Sequence, residues 1–282
     1  MSMTKPGAVP ALLLAVHGSA LPEAGETVGR LTGMLSAAAT TASGGVGPEI
    51  LVGHLDVQRP GLAEALDEVE ASVSRRAVVV PLLLGAGFHL RFDIPAALMD
   101  RQQRGHALTR GLSGDERIGL ALHDRLRAAE RRAGGSADAV VLAAAGSGRP
   151  GGNDGALRAA AQLRARLDGD LPVVPAYCSA AAPTVPRAVA ALRAAGYRRI
   201  AVATHLLAPG RFSAALADAG AWAVGAPLAD HPAMADLVVD RYRTAVSPLA
   251  GRSALRQQTD HCPPWNAPRS VTPAYSPAPA AA

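Results

Sequence analysis

The sequence predicts an α/β fold made of two similar parallel-sheet domains that arose by an internal duplication. Continuously apolar runs, typical of strands buried on both faces, alternate with amphipathic runs of helical period. This alternation favours parallel sheets with helices on both faces. The same order of runs then occurs a second time along the chain, which indicates a duplicated domain.

The elements of the first half follow one another in a regular order of strands and helices. Strands are expected at residues 11–16, 50–57 and 77–84, and helices at residues 26–39, 60–69, 94–103 and 116–132. Pro60 fits the first turn of its helix, where a missing N–H costs no hydrogen bond. Gly134 and Gly135 then mark a boundary, because a new apolar strand begins just beyond them at Ala139–Ala144.

Three segments of the second half repeat segments of the first in the same order. Residues 141–150 resemble residues 13–22, residues 202–210 resemble residues 79–87, and residues 238–241 resemble residues 122–125. The repeat is about a domain long, so it predicts two domains, at residues 1–134 and residues 135–247. At residues 248–282 prolines lie among Ala, Ser and Thr, and this composition predicts a disordered tail.

The overall composition excludes several classes of protein. Hydrophobic residues make up 49% of the 282 residues and charged residues 18%, a balance typical of a globular protein. Aromatic residues make up only 3%, too few for the stacking platforms on which single-stranded nucleic acids bind. No apolar stretch approaches the roughly 20 residues that a membrane span needs. We therefore expect neither a nucleic acid nor a membrane as a partner.

The charged residues and the cysteines bear on the ligand and on the compartment. Lys5 is the only lysine among 28 basic residues, so the surface is rich in arginine. This enrichment fits an acidic ligand, but it also fits a genome that favours Arg codons, and no basic run stands out. Cys178 and Cys262 lie far apart and give no disulfide framework, which favours a cytoplasmic location.

Two histidines follow predicted strands of the first half. His17 comes directly after the first strand, and His89 follows the third after a short Gly-rich turn. Ligands of open parallel sheets bind at the carboxyl ends of the strands, so both imidazoles should face one edge. Imidazole binds Fe, Co, Ni and Zn and accepts protons near neutral pH. A single histidine is more often structural, but two at matching strand ends favour a metal and catalytic site.

Asp56 lies at the end of the second predicted strand and has two interpretations. Its carboxylate could bind a metal or accept a proton beside the histidines, or it could serve as a turn residue.

The second half offers a comparison, because Ala145 and Phe212 occupy the positions that correspond to His17 and His89. Loss of both imidazoles indicates one functional half and one supporting half, although drift at unimportant positions would give the same pattern. His205 is interpreted as structural.

These segments resemble those of the sirohydrochlorin chelatase family, the class II tetrapyrrole chelatases, in its two-repeat form. The resemblance rests on Val16-His17-Gly18-Ser19, on Leu55-Asp56-Val57 followed by Pro60-Gly61-Leu62, and on residues 79–89, with Asp93-Ile94-Pro95 completing the last motif. It covers residues 10–130 and, through the repeat, extends to about residue 245. Phe88 departs from the Tyr that often precedes the second histidine in the family.

The resemblance implies a flavodoxin-like fold for each half, with the ligand in the cleft between the halves. His17 and His89 would bind the incoming metal and help to remove the pyrrole protons, and Asp56 would assist. Arg91 and Arg211 are the candidates for orienting the carboxylates of the substrate. The divalent metal is then a substrate, and no organic cofactor is expected.

The implied reaction is insertion of ferrous iron into sirohydrochlorin on the route to sirohaem. Cobalt insertion on a cobalamin route is the first alternative, because nothing in the sequence distinguishes the two ions. A non-catalytic tetrapyrrole- or metal-binding protein is the second, and the presence of both histidines favours the enzyme over it. We expect a small tetrapyrrole as partner and a monomer whose halves form an intramolecular pseudo-dimer.

Overall fold

Two four-stranded parallel sheets form the framework of the protein in a computed structural model that describes residues 9–43, 47–85, 87–167 and 170–247. The first sheet contains β1 (Ala11–Val16), β2 (Ile50–His54), β3 (Ala77–Pro81) and β4 (Ala107–Leu108), in the order β2-β1-β3-β4. The second contains β5 (Ala139–Ala144), β6 (Val173–Tyr177), β7 (Ile200–His205) and β8 (Ala223–Val224), in the order β6-β5-β7-β8. The predicted α/β class with two duplicated parallel-sheet domains is confirmed.

Eight α-helices connect and cover the strands within the described residues. They are α1 (Pro22–Ser43), α2 (Leu62–Ala71), α3 (Ile94–Met99), α4 (Glu116–Ala133), α5 (Asp154–Arg164), α6 (Val185–Ala194), α7 (Arg211–Ala215) and α8 (Pro232–Val246). A π-helical turn at His89–Asp93 leads into α3, and a 3-10 turn follows at Gln102–Arg104. Helix α4 begins where the Asp115 carboxylate accepts from the backbone N–H of Arg117, and it ends at the left-handed Gly134.

The second and third strands end earlier than the sequence predicts. Their pairing with β1 stops at His54 and at Pro81, because β1 itself ends at Val16 and the chain turns away at Gly18. The apolar residues beyond each strand instead enter the loops at the carboxyl edge of the sheet. The predicted helix at residues 94–103 is also shorter, since α3 ends at Met99.

Strand register confirms that the repeated segments are equivalent. In the first sheet Leu13 pairs with Leu51 and Val79, and in the second sheet Val141 pairs with Val174 and Val202. Each copy also turns on a glycine after its first strand, Gly18 with φ +93° and Gly146 with φ +91°. A Cβ at either glycine would overlap with a backbone carbonyl oxygen, so both copies need glycine there.

One apolar core lies between the two sheets and is shared by them. The inward residues of β1, β3, β5 and β7 belong to a single buried cluster with residues of α1, α4, α5 and α8. The outer face of the first sheet packs separately on α2 and that of the second on α6. Because the inner cluster is continuous, neither sheet has an independent core on that side.

The last helix of each half packs on the sheet of the other half. Helix α4 lies on β7 and β8, and α8 lies on β3 and beside α1. The Tyr242 hydroxyl of α8 donates to the Pro10 carbonyl at 2.6 Å, which fixes α8 to the start of β1.

The boundary between residues 134 and 135 stays a prediction about the repeats, and the tail at residues 248–282 lies outside the described residues. None of the described helices combines the length and apolar character needed to cross a membrane.

We expect residues 1–134 alone to self-associate or to unfold. Truncation removes α8 from the first sheet and exposes the face of α4 that packs on the second sheet, including the buried Leu122 and Leu126. Each leucine side chain returned to water costs about 1.5–3 kcal/mol. Light scattering coupled to gel filtration, with the full chain as reference, measures the outcome. A monodisperse, folded monomer of residues 1–134 would contradict this expectation.

Candidate functional site

His17 leaves the sheet at the carboxyl end of β1 and is held there by its backbone. The N–H of Leu55 donates to the Val16 carbonyl at 2.8 Å, and the N–H of Asp56 donates to the His17 carbonyl at 3.0 Å. The next loop is fixed by Gln58, whose side-chain oxygen accepts from the Ser19 N–H at 2.9 Å. The imidazole itself is exposed, so a rigid backbone presents a ring that is open to ligand.

His89 opens the π-helical turn that follows β3, and Asp93 orients its ring. The two side chains are one turn apart, and His89 Nδ1 lies 2.6 Å from Asp93 Oδ2. If Nδ1 carries the proton and donates to this carboxylate, Nε2 is left as the lone-pair nitrogen. Asp93 belongs to the Asp93-Ile94-Pro95 motif, and no role for it was predicted from the sequence. The His–Asp spacing of four residues on a helical turn was the signal for it.

The structure brings His17 and His89 together. Their ring centroids are 5.0 Å apart and their planes are nearly perpendicular, at 88°. Within the described ranges, no group of three or more His, Cys, Asp or Glu side chains is placed to hold one metal ion. Imidazole nitrogens are common ligands of Fe, Co, Ni and Zn, so the pair is a candidate metal site.

Asp56 is placed at the neighbouring strand end, but its carboxylate is engaged in a turn. Its Oδ1 accepts from the N–H of Val57 at 2.8 Å, and Val57 has a positive φ of 64°. The side chain is exposed and does not form a three-ligand group with the two histidines. The geometry therefore supports the turn interpretation of Asp56 and gives no contact that supports the ligand interpretation.

An aromatic ledge adjoins the histidine pair. Phe88 and Phe92 are 49% and 52% exposed, and their ring centroids lie 4.8 Å apart with a tilt of 31°. The guanidinium of Arg149, from the second half, lies 5.2 Å from the centroid of the Phe88 ring. Arg149 was not among the site residues predicted from the sequence, although it lies in the repeated segment at residues 141–150. A flat apolar ligand with acidic substituents fits such a surface.

Arg91 and Arg211 are both exposed near this edge. Arg91 lies within the π-helical turn that His89 opens, and it makes no ion pair with any described residue. Arg211 opens α7 in the second half, with its guanidinium 5.5 Å from the Phe212 ring. A Cβ built on Gly210 would lie 3.6 Å from Ser19 Oγ, so the start of α7 borders the loop after His17. Both halves therefore contribute arginine to the rim.

The second half carries no histidine at the positions that correspond to His17 and His89. The register of the two sheets makes Ala145 the counterpart of His17, and the sequence repeat makes Phe212 the counterpart of His89. His205 ends β7 beside Ala144, is buried, and has no hydrogen-bond partner for Nε2. Burial lowers the pKa of His205 to about 4, which keeps the ring neutral at physiological pH. It is part of the interior and does not reach the histidine pair.

Comparison with known proteins places this architecture in a family. A family model described as CbiX matches the chain twice, over residues 11–129 and residues 139–245. The sirohydrochlorin cobaltochelatase of Methanothermobacter thermautotrophicus is 27% identical over 137 residues, which cover 42% of this chain and 91% of that protein. The sirohydrochlorin cobaltochelatase of Saccharolobus solfataricus is 34% identical over 87 residues, covering 31% of this chain and 62% of that protein.

Solved structures share the whole two-sheet arrangement. SirB from Bacillus subtilis with Fe3+ superposes with a TM-score of 0.68 at 21% identity, covering 86% of this chain and 98% of that chain. The sirohydrochlorin chelatase SirB from Bacillus subtilis subspecies spizizenii in complex with cobalt gives a TM-score of 0.67 at 18% identity, covering 86% and 97%. At these identities the likeness shows the fold.

The duplicated α/β fold is that of the chelatases among these solved structures. The chain belongs to the CbiX family, whose model it matches in both halves. The resemblance to sirohydrochlorin chelatases in their two-repeat form, stated from the sequence motifs, is confirmed.

We expect His205→Leu to remove a source of acid instability. The unfolded chain binds a proton at this histidine with the ordinary pKa of 6.5, whereas the folded protein binds it only near pH 4. The contribution of His205 to the free energy of unfolding is therefore fully present above pH 6.5, and it is lost as the pH falls from 6.5 to about 4. The loss amounts to roughly 1.4 kcal/mol per pH unit, or about 3 kcal/mol in all.

Urea unfolding of wild type and His205→Leu across this range provides the measurement. Leucine is the appropriate replacement because the corresponding residue of the first half is the buried Leu82. Contributions from all other groups cancel in the difference between the two proteins. A difference in the free energy of unfolding that does not change with pH would contradict the expectation.

Proposed function

We propose that this protein is a sirohydrochlorin chelatase that inserts ferrous iron into the macrocycle. The observation that carries the proposal is the pair of imidazoles 5.0 Å apart, open to solvent and bordered by an aromatic ledge. A planar macrocycle can lie against Phe88 and Phe92 while the ion is held by the histidines. Membership of the CbiX family and relatives named sirohydrochlorin cobaltochelatases support the same reaction.

The histidine pair can hold the metal without trapping it. With the proton on Nδ1, His89 donates to the Asp93 carboxylate, and this hydrogen bond fixes the ring and increases the donor strength of Nε2. His17 supplies the second imidazole from the rigid end of β1. With only two protein ligands, the macrocycle nitrogens can replace water molecules first and the imidazoles last.

Insertion also releases protons, and the same imidazoles can accept them. Each divalent ion that enters the macrocycle displaces two N–H protons. As the metal moves to the pyrrole nitrogens, the imidazole nitrogens become free and can take up these protons near neutral pH. The exposure of His17 then allows transfer to solvent. No further group is required for the proton balance.

The arginines around the edge can position the substrate. Sirohydrochlorin carries many carboxylates at its periphery, and guanidinium groups pair with carboxylates through two parallel hydrogen bonds. Arg149 already lies over Phe88, and Arg91 of the first half and Arg211 of the second are both exposed. Two of these three arginines come from the second half, so the second half supplies binding residues without supplying metal ligands.

Cobalt insertion is a second candidate function, favoured by the names of the relatives in Methanothermobacter and Saccharolobus. Two imidazoles with open positions accept both ions, so the site does not exclude either.

Anaerobic assays with sirohydrochlorin and Fe2+, Co2+ or Ni2+, followed by absorbance, separate the candidates. Fastest insertion of Fe2+ supports the proposal, and fastest insertion of Co2+ supports the alternative. Tetrapyrrole binding without insertion of any ion would identify a carrier.

We expect His17→Ala and His89→Ala to reduce the insertion rate by about 10²–10⁴-fold, the usual contribution of a residue in acid–base chemistry. Both side chains are at least partly exposed, so the fold should be retained. His123→Ala, on α4 and outside the site, is the matched control and should insert metal at the wild-type rate. Circular dichroism confirms folding. Wild-type rates in a folded His89→Ala protein would refute the assignment.

Asp93→Asn should weaken metal binding because the orienting partner of His89 loses its charge. The expected effect is about 10–100-fold in apparent metal affinity, the range for groups that hydrogen-bond a metal-binding imidazole. Asp100→Asn, an exposed carboxylate just beyond α3, removes the same charge nearby and should bind metal normally. The KM for the metal ion is the readout. Equal KM values for the two variants would show that Asp93 has no orienting role.

A further inference from the structure

A pocket of about 500 Å³ opens between the two halves, and neither histidine of the metal site lines it. It lies against the loop that joins β4 to α4, the start of α4, and helices α5 and α8. Four arginines line it: Arg110, Arg117, Arg158 and Arg241. The volume is within the range of about 300–1,000 Å³ that is typical of small-molecule sites.

Two of the four arginines are neutralised within the protein. Arg117 donates from Nε to Asp115 Oδ1 at 2.8 Å and from Nη2 to Asp240 Oδ2 at 3.0 Å. Arg241 donates from Nη2 to Asp115 Oδ2 at 3.1 Å. The shared carboxylate is held strongly ionised, because the hydrogen bond from Arg117 lowers the pKa of Asp115 to about 2.

Arg241 is nevertheless incompletely satisfied. Its side chain is 6% exposed, and its Nε has no hydrogen-bond partner. Burial lowers the pKa of Arg241, and repulsion from Arg110 lowers it further, against the opposing effect of Asp115. A buried guanidinium with an unpaired N–H is costly, and this guanidinium belongs to a residue that lines the pocket.

Arg110 and Arg158 carry no neutralising partner in the described part of the chain. Both side chains are exposed, and neither forms a hydrogen bond or an ion pair there. Arg158 reaches over Gly114, with Nη1 3.6 Å from the place where a Cβ would lie. Four guanidiniums therefore line one space with two carboxylates, those of Asp115 and Glu116, and an anion would balance the positive charge that remains.

We propose that this pocket binds a small oxyanion, a phosphate or carboxylate group, between Arg110, Arg158 and Arg241. Guanidinium groups bind both kinds of oxyanion through paired N–H donors. The oxyanion is supplied either by a free phosphorylated or carboxylated molecule or by a peripheral carboxylate of the macrocycle. The site goes beyond the proposed chelatase activity, since binding there requires no metal and no insertion.

Calorimetric titration of the metal-free full chain with inorganic phosphate, in a buffer without other multivalent anions, tests the site. We expect saturable binding of phosphate by the wild type. The affinity of Arg158→Ala and of Arg110→Ala for phosphate should be lower than that of the wild type by about tenfold or more. Arg164→Ala, exposed at the far end of the same helix α5 and outside the pocket, is the matched control and should bind as the wild type does.

The variants should remain folded, because both arginines are exposed and unpaired. Phosphate should raise the melting temperature of the wild type and of Arg164→Ala, and should have no effect on the double variant at Arg110 and Arg158. Absence of saturable phosphate binding, or equal affinity in wild type and Arg158→Ala, would overturn the proposal. Neither result depends on whether the protein inserts metal.

A second titration identifies the source of the oxyanion. Metal-free sirohydrochlorin is titrated into the protein with and without saturating phosphate. Competition between the two, together with weaker tetrapyrrole binding by Arg158→Ala, assigns the pocket to a carboxylate of the macrocycle. Unchanged tetrapyrrole binding in the presence of phosphate assigns it to a free anion. Both outcomes support the site, and they differ only in the molecule that carries the oxyanion.

Discussion

The apolar core between the two sheets is the constraint on which the rest of the structure depends. It joins the inner faces of both sheets and four helices into one buried cluster. Because the cluster is continuous, the carboxyl edges of the two sheets have a fixed relation, and loops from opposite halves meet there. Arg149 can lie over Phe88, and Gly210 can border Ser19, only because the sheets are held at this separation. The arrangement of loops at the carboxyl edges of the sheets therefore depends on packing in the apolar core between the sheets.

The duplication separates what the backbone must do from what the side chains do. Gly18 and Gly146 are retained in the two copies because the same tight turn follows β1 and β5, and no larger residue fits. The copies differ in the side chains that follow their strands, because His17 and His89 of the first half correspond to Ala145 and Phe212 of the second. The second half nevertheless contributes Arg149, whose guanidinium lies over the Phe88 ring. Function therefore resides in a few side chains placed on a backbone that both halves share.

Much of the fold could be predicted from the sequence because buried parallel strands have a distinct apolar pattern. The same topology rule predicted that His17 and His89 would approach each other, since both follow strands of one sheet. Strand ends were predicted too late, because apolar residues continue into the loops after His54 and Pro81. The contact between Arg149 and Phe88 could not be predicted, as it depends on how two separate segments pack. The role of Asp93 was visible only in its spacing from His89.

Helices α4 and α8 each pack on the sheet of the other repeat. The groups of elements that pack together are therefore different from the two sequence repeats. The second sheet and the helix α4 that covers it are formed by one continuous stretch, from α4 to β8. The first sheet is covered by a helix of the second repeat, because α8 packs on β3 and the Tyr242 hydroxyl donates to the Pro10 carbonyl. The hydrogen bond from Tyr242 to Pro10 joins residues that are 232 positions apart along the chain. The sheet whose edge carries the histidines is therefore closed by a contact of much longer range than any within the stretch from α4 to β8.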